Sequence, residues 1–276
     1  MSAPRRFSKM SGAGNDFVVL GPEEARALGT AAPDWARLVC RRGLSVGADG
    51  LLLVEPLPGG AVGVRFLNPD GAETFCGNGS RCAARYAFLR GWAAGRMTLE
   101  TAAGSLRAEV LGDRVSVELP PPEDLGDRTV DAGGRRFEGR LVLAGVPHFV
   151  VRVAALASAP LETWGPALRS HPAFGPGGVN VDLFEAGAGS LALRTWERGV
   201  EGETLACGSG AVAAARAHRA ASGGTGPVTV VPRSGIPLRV EFAGEGRAPG
   251  AAVLTGDARL VFEATLSDEA VSGWVP

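Results

Sequence analysis

Residues 76–85 read CGNGSRCAAR and residues 207–216 read CGSGAVAAAR. Aligned on the cysteine, the two segments share Cys, two Gly, two Ala and Arg at an offset of 131 residues. The same offset pairs Gly14 with Gly145, Gly47 with Gly178, Gly71 with Gly202, Gly95 with Gly226, Thr98 with Thr229 and Gly104 with Gly235. About three Gly–Gly coincidences at one offset are expected by chance in so Gly-rich a chain, and seven occur. The repeat predicts an internal duplication into two similar halves.

Each half has the same order of signals. FVVL (17–20), LLLVE (51–55) and VGVRFL (62–67) read as strands in the first half, as do FVVRV (149–153), VNVDLF (179–184) and LALRTW (191–196) in the second. One helix then starts just after each Cys-Gly, over 78–90 and 209–221. In the first, Cys82, Tyr86 and Leu89 form the apolar stripe, with Arg81 and Arg85 elsewhere on the cylinder. In the second, AVAAA is small and apolar all round, which predicts a buried end. MTLET, LRAEV and RVSVEL follow in the first half, and VTVV, LRVEF and RLVFEA in the second. The expected fold is α+β, with two pseudo-symmetric domains. Each is a curved, barrel-like, mostly antiparallel sheet around a central helix. The expected boundaries are 1–119, completed by 264–276, and 120–263, with PPPEDLGD (120–127) as linker and the active site in the cleft between the domains.

Composition narrows the class. The chain has 276 residues, a formal net charge of −1, 45% hydrophobic and 21% charged residues, which is ordinary globular make-up. The absence of a basic excess argues against general nucleic-acid binding. No apolar stretch approaches a membrane span, and MSAPRRFSKMSG lacks the apolar core of a secretory signal. The four cysteines, 40, 76, 82 and 207, are therefore expected as reduced thiols. Lys9 is the only lysine, hence the sole candidate for a Schiff base to pyridoxal phosphate.

A Cys immediately before a helix lies where unpaired N–H groups and the positive dipole end converge. That position favours thiolate, and the same N–H groups can bind a carboxylate. Two such halves suggest proton removal on one face of a carbon and delivery on the other, by Cys76 and Cys207. Cys40 and Cys82 are expected to be inert core residues. A zinc site at Cys76 and Cys82 lacks a close Cys pair and a nearby His. GAGND (12–16) lacks the third glycine of a dinucleotide fingerprint. A thiol protease would leave the second Cys-Gly-x-Gly unexplained. His148, in GVPHFV, is a candidate supporting base.

With these residues in view, the chain closely resembles diaminopimelate epimerases. The matching segments are FSKMSGAGNDFVVL (7–20), GADGLLLVE (47–55), FLNPDGAETFCGNGSRCAARYA (66–87), GVPHFVV (145–151), VNVDLF (179–184) and WERGVEGETLACGSGAVAAA (196–215). The resemblance implies an enzyme independent of pyridoxal phosphate and metals. It implies interconversion of LL- and meso-diaminopimelate in lysine and peptidoglycan precursor synthesis, in the cytoplasm, by a homodimer. It implies Cys76 and Cys207 as the acid/base pair. It places the α-carboxylate on backbone N–H groups of Gly77, Asn78, Gly208 and Ser209, and the reacting ammonium on Asn15 and Glu197. Asn68, Asn180 and Arg198 would hold the distal end. The chain departs from the usual pattern twice: GVPH puts Val146 where many members have Asn, and Gly50 stands where many have Gln. Competing readings are a two-thiol racemase of another amino acid, of the histidine or proline type, and a non-catalytic amino-acid-binding protein.

Overall fold

The computed structural model describes residues 6–243 and 250–270. The chain forms two compact units. One contains the described residues up to Val117 and those from Gly256 onward; the other is Glu118–Thr255.

The elements of the first unit are β1 (Arg6–Gly12), β2 (Asn15–Leu20), α1 (Pro22–Leu28), α2 (Ala32–Val39), β3 (Gly50–Pro56), β4 (Val62–Leu67), β5 (Glu73–Thr74), α3 (Gly77–Leu89), β6 (Arg96–Thr101), β7 (Gly104–Leu111) and β8 (Arg114–Leu119). Then follow β9 (Glu123–Ala132), β10 (Arg135–Ala144), β11 (Val146–Arg152), α4 (Leu161–Arg169), β12 (Asn180–Ala186), β13 (Ser190–Glu197), β14 (Gly202–Thr204), α5 (Gly208–Ser222), β15 (Val228–Val231), β16 (Leu238–Phe242), β17 (Ala252–Asp257) and β18 (Arg259–Thr265).

The duplication is written in the strand ladders. In the first unit β18, β1 and β2 pair antiparallel, β2 runs parallel to β3, and β3–β4–β5 is antiparallel. β4 also runs parallel to β6, which continues antiparallel into β7 and β8. The second unit repeats this order with β9, β10, β11, β12, β13, β14, β15, β16 and β17. The fold is thus mixed and sheet-dominated, and the curved sheets are not closed into barrels.

In each unit one helix lies against one face of the sheet. α3 packs on β1–β4, β6, β7 and β18, and α5 on β10–β13, β15 and β16. Strand alternation serves both faces. Leu51 and Leu53 of β3 join the core under α1 and α2, with Leu28, Trp35 and Val39. Leu52, between them, points at α3: a Cβ at Gly79 would stand 3.1 Å from its Cδ2. In the second unit Val181 and Leu183 join the core with Leu161 and Leu168 of α4. Asp182, between those two, points at α5. Each fully buried leucine contributes about 1.5–3 kcal/mol.

Several expectations need correction. α1, α2 and α4 were not expected, since the sequence showed only one helix per half. The Cys82–Tyr86–Leu89 stripe breaks at its end: Leu89 is 48% exposed, whereas Arg81 is fully buried. Strands surround the first turns of α3 and leave its last turn at the surface. The Ala211–Ala215 end of α5 is buried as expected. Of PPPEDLGD only Pro120–Pro122 lies outside strands, and Asp124 and Asp127 in β9 take hydrogen bonds from Arg140. β18, read as a strand of the second half, pairs with β1. Of the segment 264–276 expected to complete the first domain, residues 271–276 lie outside the described residues.

Candidate active site

Cys76 and Cys207 are the N-caps of α3 and α5, in nearly the same extended backbone conformation (φ −137°, ψ 113° and φ −118°, ψ 113°). The N–H of Gly79 donates to Cys76 Sγ at 3.3 Å, and that of Gly210 to Cys207 Sγ at 3.4 Å. Sulfur thus takes the part usually played by a Ser or Asp oxygen at an N-cap. Gly77 and Asn78, and likewise Gly208 and Ser209, occupy the first two helical positions. Their N–H groups have no carbonyl acceptor within the helix and suit a carboxylate.

Asn15 is brought to α3 by a tight hairpin. β1 and β2 are joined by Ala13-Gly14, with φ 57° and 96° and with Gly12 opposite Asn15. This is the geometry of a two-residue primed turn. Gly12 is required by close approach, since a Cβ there would stand 3.2 Å from both the Asn78 carbonyl oxygen and Cys82 Sγ. GAGND is therefore a hairpin turn. Asn15 Nδ2 donates to Asp49 Oδ2 at 2.7 Å, and its Oδ1 accepts from Asn78 Nδ2 at 2.9 Å. Asp49 also accepts from Arg42 at 2.7 Å, and Lys9 pairs with Asp16 at 2.7 Å. The only lysine is thus buried in an ion pair. Asn68 opens the turn before β5, its carbonyl accepting from the Gly71 N–H at 2.9 Å.

In the second unit, His148, Asn180 and Arg198 form a chain. The fully buried His148 Nδ1 and Asp182 Oδ2 are 2.6 Å apart, and Thr195 donates to the other Asp182 oxygen at 2.6 Å. An Nδ1–H donated to Asp182 leaves His148 Nε2 as acceptor for Asn180 Nδ2, 3.4 Å away. Asn180 Oδ1 in turn accepts from the Arg198 backbone N–H at 2.7 Å. The Arg198 guanidinium reaches the Gly177 carbonyl at 3.3 Å. Ser209 Oγ lies 3.4 Å from Cys207 Sγ. Glu197 ends β13, half-buried, and its charge is felt at Cys207.

The electrostatics depart from expectation at Cys207. Burial pushes its thiol well up, and the Glu197 and Asp182 carboxylates add to that; the bonds from Ser209 and Gly210 only offset it in part. A helix N-terminus is worth about 0.3–2 kcal/mol. Desolvation of a fully buried thiolate outweighs that here. Cys40 is raised by burial to about 12, and Cys82 is also raised, mainly by burial. Both are core thiols, as expected.

Sequence reasoning passed over Asp49, Arg81 and Asp182. For Asp182 a signal existed: one acid inside the apolar run VNVDLF must be either a strand error or a buried partner. The Gly50 departure has a steric reason here, since a Cβ would stand 2.1 Å from the Phe66 ring. Val146 faces Ala144 across β10–β11 and adds no polar group. Among the described residues, no group of three or more His, Cys, Asp or Glu side chains is placed to hold a metal ion.

The family model for diaminopimelate epimerase matches residues 7–123 and 140–261. The diaminopimelate epimerase of Aquifex aeolicus is 38% identical, covering 95% of this chain and 98% of its own. That of Archaeoglobus fulgidus is 38% identical (94% and 95%), and that of Chromobacterium violaceum 39% (94% and 97%). Among solved structures, a hydroxyproline epimerase from Agrobacterium vitis superposes with a TM-score of 0.72 at 18% identity (97% of this chain, 94% of that one). A phenazine biosynthesis protein of the PhzF family from Enterococcus faecalis gives 0.68 at 14% (96% and 99%). At these identities the likeness is one of fold alone. The match of the family model over most of the chain, with relatives near two-fifths identity end to end, places this chain in the diaminopimelate epimerase family.

Proposed function

We propose that the protein interconverts LL- and meso-2,6-diaminopimelate without pyridoxal phosphate, using Cys76 and Cys207 as a two-base pair. The observation that carries this is the repeated thiol-capped helix, each opening on N–H groups that have no carbonyl acceptor within the helix. One cysteine, as thiolate, takes the α-proton. The electron pair left on carbon spreads into the α-carboxylate, which the N–H groups of Gly77, Asn78, Gly208 and Ser209 stabilise. The other cysteine, as thiol, gives its proton to the opposite face. The carbon is inverted and the two sulfurs exchange protonation states. Asn15 and Glu197 bind the reacting ammonium, and Asn68, Asn180 and Arg198 bind the distal carboxylate and amine. The fixed Asn15 and Asn180 amides support these roles, because their orientations are set before substrate arrives.

The reading places the protein in the cytoplasm, in lysine and peptidoglycan precursor synthesis. No described helix is long and apolar enough to cross a membrane. A homodimer is part of the reading. It is supported by β18, which leaves Leu260, Val261 and Phe262 38–55% exposed in succession, and light scattering of Phe262→Asp tests it.

Incubation with single amino acids in D2O, followed by NMR at the α-carbon, tests the function. Exchange with diaminopimelate alone supports it. Exchange only with proline or histidine selects a related racemase, and exchange with none favours a binding protein.

A further inference from the structure

The two units put different side chains at matching places beneath their helices. Gly79 of α3 and Gly210 of α5 stand at the same step from their Cys caps. A Cβ at Gly79 would meet Leu52 at 3.1 Å, and one at Gly210 would meet Asp182 at 2.6 Å. Leu52 of β3 and Asp182 of β12 are therefore equivalent. The ladders carry the match outward. Leu52 faces Phe66 where Asp182 faces Thr195, and Phe17 lies beside Gly50 where His148 lies beside Asn180.

In the first unit these positions form an apolar set. Phe17 and Phe66 meet edge to face with ring centroids 5.9 Å apart, and Leu52 is buried as they are. The Phe66 ring fills the space over Gly50, where a Cβ would stand 2.1 Å from it. The second unit has His148, Thr195, Asp182 and Asn180 in the same four places, all buried. The fold thus closes over apolar residues at this spot in one half and over polar ones in the other. A buried polar set carries a desolvation cost that an apolar set avoids. Sequences accept such a cost mainly at functional sites.

Each bond in the polar set has one workable direction. The Asp182 carboxylate only accepts: Oδ1 takes the Thr195 hydroxyl and Oδ2 the His148 Nδ1–H, each at 2.6 Å. The neutral ring then carries a lone pair at Nε2, so the Asn180 NH2 group, 3.4 Å away, faces it. Asn180 Oδ1 is left to accept from the Arg198 backbone N–H at 2.7 Å. A flipped amide would set its oxygen against the Nε2 lone pair and its NH2 against the Arg198 N–H.

We propose that Asp182 is a positioning residue. By fixing the His148 tautomer it fixes the Asn180 amide and, through that amide, the backbone at Arg198. The distal end of the substrate then meets groups that are already set. This deepens the proposed function and rests on it for Asn180 and Arg198 as distal ligands. Groups ordered in advance spare the complex the cost of ordering them. Asp182 therefore acts on binding rather than on proton transfer at the α-carbon.

The first arm of the test uses no substrate, so it decides the relay separately from the activity; a wild type without diaminopimelate turnover overturns the proposed function alone. Nitrogen-15 NMR of the wild type at neutral pH is expected to find the His148 proton on Nδ1 and none on Nε2. A proton on Nε2, in a neutral or a charged ring, overturns the proposal whether or not any variant folds. Asp182→Asn keeps the shape but can offer the ring either end of its amide. It is expected to speed hydrogen exchange at the Arg198 N–H by about 10-fold relative to the β12–β13 ladder. Thr195→Val leaves the His148 bond in place and is expected to keep the Arg198 N–H protected. No acceleration in Asp182→Asn, or an equal one in both variants, overturns the proposal, the second because it marks a merely structural role. In the second arm, Asp182→Asn is expected to raise KM for diaminopimelate by about 10-fold with kcat little changed. A fall in kcat at unchanged KM, or neither moving, overturns it.

Discussion

Gly79 and Gly210 occupy the same place in the two helices, and the same substitution is expected to act differently at each. An alanine Cβ at Gly79 would meet Leu52 Cδ2 at 3.1 Å and Cys76 Cβ at 3.4 Å. The end of a leucine side chain can yield by a few tenths of an ångström. At Gly210 the Cβ would stand 2.6 Å from Asp182 Oδ1, 3.1 Å from Thr195 Oγ1 and 3.3 Å from Cys207 Cβ. That carboxylate is held by Thr195 and His148, each at 2.6 Å, and cannot move without breaking one bond. Overpacking costs about 1–3 kcal/mol, and a disturbed charge-assisted hydrogen bond about 1.5–3 kcal/mol. Better helix propensity returns up to about 1 kcal/mol in both variants. Gly210→Ala is therefore expected to lose about 2–4 kcal/mol, and Gly79→Ala to stay within about 1 kcal/mol of wild type. By calorimetry this is a fall in Tm of roughly 5–10 °C against little change. Equal falls in the two variants, or a stable Gly210→Ala, would refute the argument that a fixed carboxylate underlies the second helix.

Arg198→Ala is expected to lower kcat/KM for diaminopimelate by about 10- to 150-fold, the loss of a charge-assisted bond. The comparison is an analogue lacking the distal carboxylate, and an equal loss on both removes Arg198 from the distal site. Burial alone would raise the Asp16 carboxyl, but Arg42 and Lys9 hold it below its ordinary 3.8. Its stabilisation is thus present above that value and fades as pH falls through the lower folded value. Denaturant titration of Asp16→Asn is expected to show a deficit of about 2–3 kcal/mol at pH 7. The deficit shrinks below pH 3.8, and one that grows in acid contradicts the ion-pair account. Cys40→Ala and Cys82→Ala are expected to keep near-wild-type turnover in a direct rate assay, because both are protonated core thiols.

What the sequence disclosed follows from what is local. Cys76 and Cys207 could be placed at helix starts because Cys-Gly-x-Gly is followed each time by a helical run. VGVRFL is bounded by turn residues and became β4 residue for residue. Asn15 and Asn180 were reached only through the family resemblance, since an isolated Asn reads equally well as a turn residue. What was hidden is long-range. Arg81 reads as a solvated helix residue until the strands that enclose α3 are known. β18 joins β1 across some 250 residues of chain, and nothing within RLVFEA announces that partner. The short helices α1 and α2 are set by packing of Leu28, Trp35 and Val39 on β2 and β3 rather than by a long periodic pattern.

The most direct measurement of the central claim is epimerisation of LL-diaminopimelate in D2O by the wild type, Cys76→Ala and Cys207→Ala, with each variant confirmed folded. The account predicts that wild-type product carries solvent deuterium at the inverted carbon. It also predicts that each single variant loses turnover by at least about 1,000-fold, since removing either sulfur removes proton transfer on one face. Either variant retaining near-wild-type turnover, or product that keeps the original hydrogen, would contradict it.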